Sequence, residues 1–172
     1  MNHKQTNDKK RAEKTETPNN LKVMLSKKLN IPVLNMDEKI TKKAGMSIPQ
    51  IVEKFGWDKF RDMESKIAEQ ISNLDNHIID TGGGVILRDK NVKNLRKNSK
   101  VFLLEADVPA IAKRIKLGTH RPSLTSGKSF VDEIEEVLAQ RREKYKKAAD
   151  YIINTSKLSP SDVAKKIVSL MR

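Results

Sequence analysis

Three consecutive glycines, Gly82, Gly83 and Gly84, follow the run His77-Ile-Ile-Asp-Thr81 and precede Val85-Ile86. A short β-branched run bounded by glycines reads as a buried strand ending in a turn whose backbone amides are bare enough to approach a ligand. In an open α/β sheet, strand ends are where small molecules sit. Asp37 opens a helix, where a carboxylate caps free amides and favours the positive end of the dipole. Arg61 lies near the start of a long helix, and its side chain can reach back toward the strand ends that hold Asp37 and the glycines. Gly127-Lys-Ser129 looks like the end of a phosphate-binding loop, but Pro122 takes the place of its partner glycine and no strand precedes it, so it is not read as one.

The elements that must position these groups are legible from spacing. Residues 1–19 are polar, charged and aperiodic, and are expected to be a disordered tail. Leu21, Met24, Leu25 and Leu29 recur at helical spacing, capped by Asn19 or Asn20, and residues 30–35 form a short strand with Pro32 near its start. A helix over 37–45 closes at Gly45. Ser47-Ile-Pro-Gln50 is a capping box for a short helix ending at Gly56. Residues 57–74 form a long amphipathic helix with Phe60, Met63, Ile67 and Ile71 on its apolar face. Beyond the glycines come a helix over 89–97, a buried strand over 100–105 and a helix over 108–117. A polar segment at about 117–128 reads as a lid. A charged helix over 130–148 carries Arg141 and Tyr145, a strand covers 151–154, and Ser159 caps a last helix to Leu170. Strands alternating with helices predict an α/β fold, a parallel sheet with helices on both faces.

The composition sets bounds. A chain of 172 residues with 37% hydrophobic content builds one ordinary domain with a modest core. No run approaches the roughly 18 apolar residues of a membrane span, and no secretory core stands near residue 1, so the expected location is cytoplasmic, with no membrane partner. There is no cysteine, which excludes disulfide and thiolate chemistry. The net charge of +13 calls for an anionic partner or substrate. With aromatics at 4% and no helix-turn-helix or RNP-like signature, the chain is not expected to bind nucleic acid specifically.

Taken together, Asn35-Met-Asp37, Gly45-Met-Ser-Ile48, Phe60-Arg61 followed by Glu64, Thr81-Gly-Gly-Gly84, Arg121-Pro122, and Arg141 with Tyr145 and Ala149-Asp150 resemble, in collinear order over residues 21–172, the shikimate kinase family of P-loop, nucleoside-monophosphate-kinase-like proteins. The resemblance implies a three-layer α/β sandwich and a pocket for shikimate or a similar small hydroxy acid. It gives Arg61 and Arg141 the ligand's carboxylate, and Asp37 the hydroxyl that receives phosphate and its proton. The Gly82, Gly83 and Gly84 turn is assigned the ring. It gives Arg114 the adenine of ATP, Arg121 the transferring phosphate as a catalytic group, and Asn35 the place of an aspartate that assists magnesium.

The departure from the family lies upstream. The functions of the family's Gly-x-x-x-x-Gly-Lys-Ser/Thr loop should fall on residues 12–20, which read Ala-Glu-Lys-Thr-Glu-Thr-Pro-Asn-Asn, without a glycine and with Pro18 about where the lysine belongs, while Asp8-Lys-Lys-Arg11 occupies the place of its first strand. Lys14 offers charge there without an amide nest. The expectation is therefore a shikimate-kinase-like protein that keeps its acceptor pocket, lacks the ATP phosphate loop and is inactive or very weak. The alternative is an active kinase of aromatic amino-acid biosynthesis that uses ATP and magnesium. With the family's central strand missing, either its two neighbours pair directly, the tail contributes an atypical strand, a protein partner or second copy fills the slot, or the isolated product is unstable.

Overall fold

Leu21–Leu29 forms the first helix, α1, and it ends where Asn30 adopts a left-handed φ of 55°. The computed structural model describes residues 21–116 and 130–171. The expected tail at 1–19, its capping asparagines, the lid at about 117–128 and Arg121 lie outside the described residues. The left-handed turn and Pro32, which has no N–H, delay the first strand, so β1 spans only Val33–Asn35 rather than 30–35.

The remaining elements are α2 (Met36–Ala44), α3 (Ile48–Ile71), β2 (Ile78–Asp80), a 3-10 turn (Val85–Leu87), α4 (Asp89–Arg96), β3 (Phe102–Glu105), α5 (Val108–Lys116), α6 (Phe130–Ala148), β4 (Tyr151–Asn154) and α7 (Pro160–Leu170). This is the α/β fold that the alternation of strands and helices predicts. Capping follows the sequence closely. Gly45 ends α2 at φ 68°, the amide of Ser47 donates to Gln50 Oε1 at 2.9 Å, and the amide of Asp162 donates to Ser159 Oγ at 3.2 Å. Gly56 interrupts α3 with φ 79° and ψ 169°, so the two helices expected on either side of it run together across a kink.

Among the described residues the strands form two two-stranded sheets, β1 with β2 and β3 with β4, and of the alternatives for the central slot the direct pairing of β2 with β3 does not occur. β3 and β4 are parallel, with Phe102 opposite Tyr151 and Glu105 opposite Asn154. Val101 and Glu105 turn their carbonyls toward the β4 side, accepting from Tyr151 and Thr155. The intervening Phe102 and Leu104 therefore direct their backbone groups to the opposite edge. With one edge uncovered among the described residues, β3 is half-buried rather than buried, and Leu104 is 42% exposed. β2 is likewise half-buried.

Of the described residues, 21–34, 76–80 and 158–171 form one unit and 35–75 and 81–157 a second. In the first, α1 packs on α7, with Leu25, Val163, Ala164 and Ile167 buried, and Lys22 Nζ bonds Asp80 Oδ2 at 3.0 Å. In the second, α3, α4 and α6 all contact the 3-10 turn, whose Val85 and Ile86 are buried. Each such side chain stabilises the fold by about 1.5–3 kcal/mol. The glycine loop enters this turn directly, so its backbone is anchored from three helices. Among the described residues no helix is long and apolar enough to cross a membrane.

Candidate functional site

The three glycines are not there for their backbone angles. Among the described glycines only Gly45 and Gly56 have positive φ, and Gly82, Gly83 and Gly84 do not, so a left-handed turn does not explain them. Space does. A β-carbon on Gly82 would lie 3.3 Å from Asp37 Oδ1, and one on Gly83 would lie 3.1 Å from Tyr145 Oη. On Gly84 a β-carbon would be driven into the guanidinium of Arg61. Each glycine thus faces a different polar side chain, brought from α2, α6 and α3 in turn.

Asp37 is placed by its helix. Asn35, and not Asp37, is the N-cap of α2, its Oδ1 accepting from the Glu38 amide at 3.1 Å. An amide oxygen one residue before the helix reaches those amides, whereas Asp37 is already inside the first turn. There its carboxylate keeps the favourable end of the dipole and is directed at Gly82.

Arg61 is fixed on α3 between rings and a carboxylate. Its guanidinium lies 5.4 Å from the Trp57 ring centroid and 4.9 Å from that of Phe60, and Nη1 donates to Glu64 Oε1 at 2.8 Å. Glu64 is 2% exposed, and Oε2 has no hydrogen-bond partner among the described residues. Burial pushes its carboxyl above the usual carboxylate range, Arg61 opposes that shift through charge and hydrogen bond, and the negative charge of Asp37 adds to it. The influence of Asp37 on Glu64 places both carboxylates in one electrostatic neighbourhood around Arg61.

On α6, Tyr145 Oη donates to the Gly83 carbonyl at 2.9 Å. Arg141 stands one turn earlier on the same face. It is half-buried and forms no hydrogen bond or ion pair among the described residues, despite the acidic side chains nearby in sequence.

The nucleotide-side candidates have other engagements. Arg114 directs Nη1 to Thr155 Oγ1 at 2.9 Å and Nη2 to the Thr155 carbonyl at 2.7 Å, tying α5 to the end of β4. Asn35 caps a helix. The structure therefore gathers Asp37, Arg61 and Gly82 to Gly84 with one face of α6, and gives Arg114 and Asn35 roles in holding the fold.

Sequence reasoning noted Glu64 and Tyr145 without giving either a role, and missed Asn91. That buried amide donates Nδ2 to the Val85 carbonyl at 3.1 Å and secures the turn after the glycines. The three-residue spacing from Arg61 to Glu64 on a helix was a readable signal for an ion pair. No signal of that kind links Tyr145 to Gly83, 62 positions away.

A carboxylate acceptor, guanidinium donors and a stretch of bare backbone are suited to a small anion that also carries hydroxyl groups. The shikimate kinase family model matches residues 21–172. A shikimate kinase of Caldicellulosiruptor bescii is 39% identical over 147 residues, covering 86% of this chain and 84% of the relative. One from Thermodesulfovibrio yellowstonii is 40% identical over 145 residues, 84% of this chain and 83% of the relative. Among solved structures, the shikimate kinase of Acinetobacter baumannii in complex with shikimate superposes with a TM-score of 0.82 at 28% identity, covering 88% of this chain and 84% of that one. By fold, by sequence and by the residues around its glycine loop, the chain belongs to the shikimate kinase family.

Proposed function

We propose that this chain is a shikimate kinase, transferring the terminal phosphoryl group of ATP to the 3-hydroxyl of shikimate. The observation that supports it most is the convergence of Asp37, Tyr145 and Arg61 on three successive glycines. In this reading Arg61 and Arg141 hold the carboxylate of shikimate with charge-assisted forks. Asp37 accepts a hydrogen bond from the reacting hydroxyl and takes its proton as that oxygen attacks. The amides of Gly83 and Gly84 fix the ring. Glu64 keeps Arg61 in place from behind.

ATP, with magnesium, supplies the phosphoryl group when bound. Of the described residues that the resemblance assigns to its site, Asn35 caps a helix with its side-chain oxygen and Arg114 donates both arms to Thr155. One observation favours a second reading, in which shikimate binds without turnover. Residues 12–20 contain no glycine, and no Gly-x-x-x-x-Gly-Lys-Ser/Thr occurs in the 172 residues.

Calorimetry with shikimate, followed by a coupled assay of ADP release, separates the two. Shikimate-dependent release at about 1–100 per second supports the kinase, and Arg121→Ala then abolishes it. Binding with no release leaves the second reading. The absence of shikimate binding at millimolar ligand overturns both.

A further inference from the structure

Four consecutive carbonyls around the glycine loop each have a donor. Gly82 accepts from the Val85 amide at 3.2 Å and Gly84 from the Leu87 amide at 3.0 Å. Val85 accepts from Asn91 Nδ2 at 3.1 Å. These three donors lie within six residues of their acceptors. The fourth does not, since Gly83 accepts from Tyr145 Oη at 2.9 Å across 62 positions of sequence.

We propose that Tyr145 is a positioning residue, a latch that fixes the Gly83–Gly84 peptide plane and thereby the direction in which the Gly84 amide is offered to ligand. The inference rests on the reading of this loop as the shikimate site. In a trans peptide the C=O and the following N–H point in opposite directions, so holding the Gly83 oxygen against α6 aims the Gly84 hydrogen away from it. The described chain has no cis peptide. Neither residue of this peptide has a β-carbon, so sterics alone do not choose between the plane and its flipped form. The Gly82–Gly83 plane is held by the Val85 amide on the Gly82 carbonyl, but the Gly84 amide donates to no backbone acceptor among the described residues, so the Gly83–Gly84 plane has no restraint from that end. Among the described residues only the phenol supplies one. Because Tyr145 follows Arg141 by one turn on α6, the same helix that presents the free guanidinium also sets the donor face of the loop. Two ligand-facing groups distant in sequence are thereby held to one rigid element.

Tyr145→Phe removes the hydroxyl and keeps the ring. Two measurements test the latch. In the ligand-free protein, the 15N amide signals of Gly83 and Gly84 should broaden through microsecond-to-millisecond exchange, as the peptide samples both orientations. Shikimate affinity by calorimetry should fall about tenfold, as expected if the competent orientation drops to about one molecule in ten. If the enzyme turns over, the loss appears in KM with kcat unchanged. Tyr151→Phe, whose ring stacks on Phe102 at a centroid distance of 5.0 Å, is the control and should change neither signal nor affinity.

Sharp, unshifted Gly83 and Gly84 signals in Tyr145→Phe overturn the latch whatever the affinity does. Broadened signals with wild-type affinity overturn its role toward ligand. If the wild-type protein fails to bind shikimate, the functional reading falls, while the amide signals still decide whether Tyr145 holds the loop.

Discussion

The arginines around the glycine loop and those flanking the β3–β4 sheet differ in what their forks hold. At the sheet, Arg96 donates to Asp150 Oδ1 at 2.6 Å and to the Lys147 carbonyl at 3.1 Å, and Arg114 closes both arms on Thr155. At the loop, Arg61 has one carboxylate partner and Arg141 none among the described residues. Guanidinium groups carry five donors in a fixed plane, so an arginine whose plane is filled by protein acceptors is part of the scaffold. One held in place with donors to spare can still receive an anion. The difference is between regions with the same chemistry, and it separates arginines filled by protein acceptors from arginines whose donors are not all used among the described residues.

The most damaging way to break this comparison is to force a loop arginine out. Gly84→Ala puts a methyl group where the Arg61 guanidinium lies, so the guanidinium must swing away from the loop, and it is expected to lose Glu64. A buried carboxylate then loses its partner, at a cost of about 3–5 kcal/mol in stability. Shikimate binding should become undetectable, and chemical denaturation should show the loss of stability in the absence of ligand. Wild-type stability in Gly84→Ala would show that the guanidinium has room to move.

A gentler substitution sharpens the comparison by separating binding from stability. Arg141→Ala should leave the thermal midpoint nearly unchanged, because that side chain gives up no hydrogen bond or ion pair among the described residues. It should weaken shikimate by about 1.5–3 kcal/mol, the contribution of a hydrogen bond to a charged group, or roughly tenfold to 150-fold. Arg96→Ala should do the reverse. Shikimate affinity stays, while stability drops by up to about 1 kcal/mol, the modest value of a partly exposed pair. Calorimetry and thermal melts on the two variants decide it. A drop in affinity in Arg96→Ala would mean that the sheet arginines also serve the site.

The sequence shows much of the scaffold because caps, glycines and apolar spacing are local signals. Gly45, Ser47 with Gln50, and Ser159 mark helix ends where the structure has them. Asp37, Arg61 and the glycines were legible as a cluster because each stands at the end or the first turns of an element. Three things were not legible. Strand pairing depends on partners distant in sequence, so spacing alone did not give the β1–β2 and β3–β4 pairs of the described residues, and strands thought buried are half-exposed. The cap of α2 shifted from Asp37 to Asn35, because one residue decides whether an oxygen reaches the free amides or is already within the helix. Tyr145 belongs to the loop only through folding, and its spacing from Gly83 carries no period.

The finest distinction lies between two carboxylates with similar arginine pairs and opposite titration. Asp150 accepts from the Val101 amide at 2.8 Å and from Arg96, and the backbone bond first, then the arginine, hold its carboxyl below the usual range. Its contribution to stability is present above the unfolded carboxylate value and is lost as pH falls through the depressed one. Glu64 has a pair of similar length, but burial outweighs Arg61 and raises its carboxyl. The folded state therefore favours the protonated form, whose stabilisation is complete below the unfolded value and is lost as pH rises through the raised one. Glu64→Gln keeps an oxygen for Arg61 and removes the charge. Relative to wild type, it should gain in thermal midpoint as pH rises from 4 toward 7, whereas Asp150→Asn should lose as pH rises toward about 4, below the unfolded carboxylate value, and change little above it. Melts of each variant across its own range should give slopes of opposite sign. Parallel slopes would mean that Arg61 offsets the burial of Glu64 in full, which would leave the loop arginine with no unused charge for a ligand and place it with the arginines of the sheet.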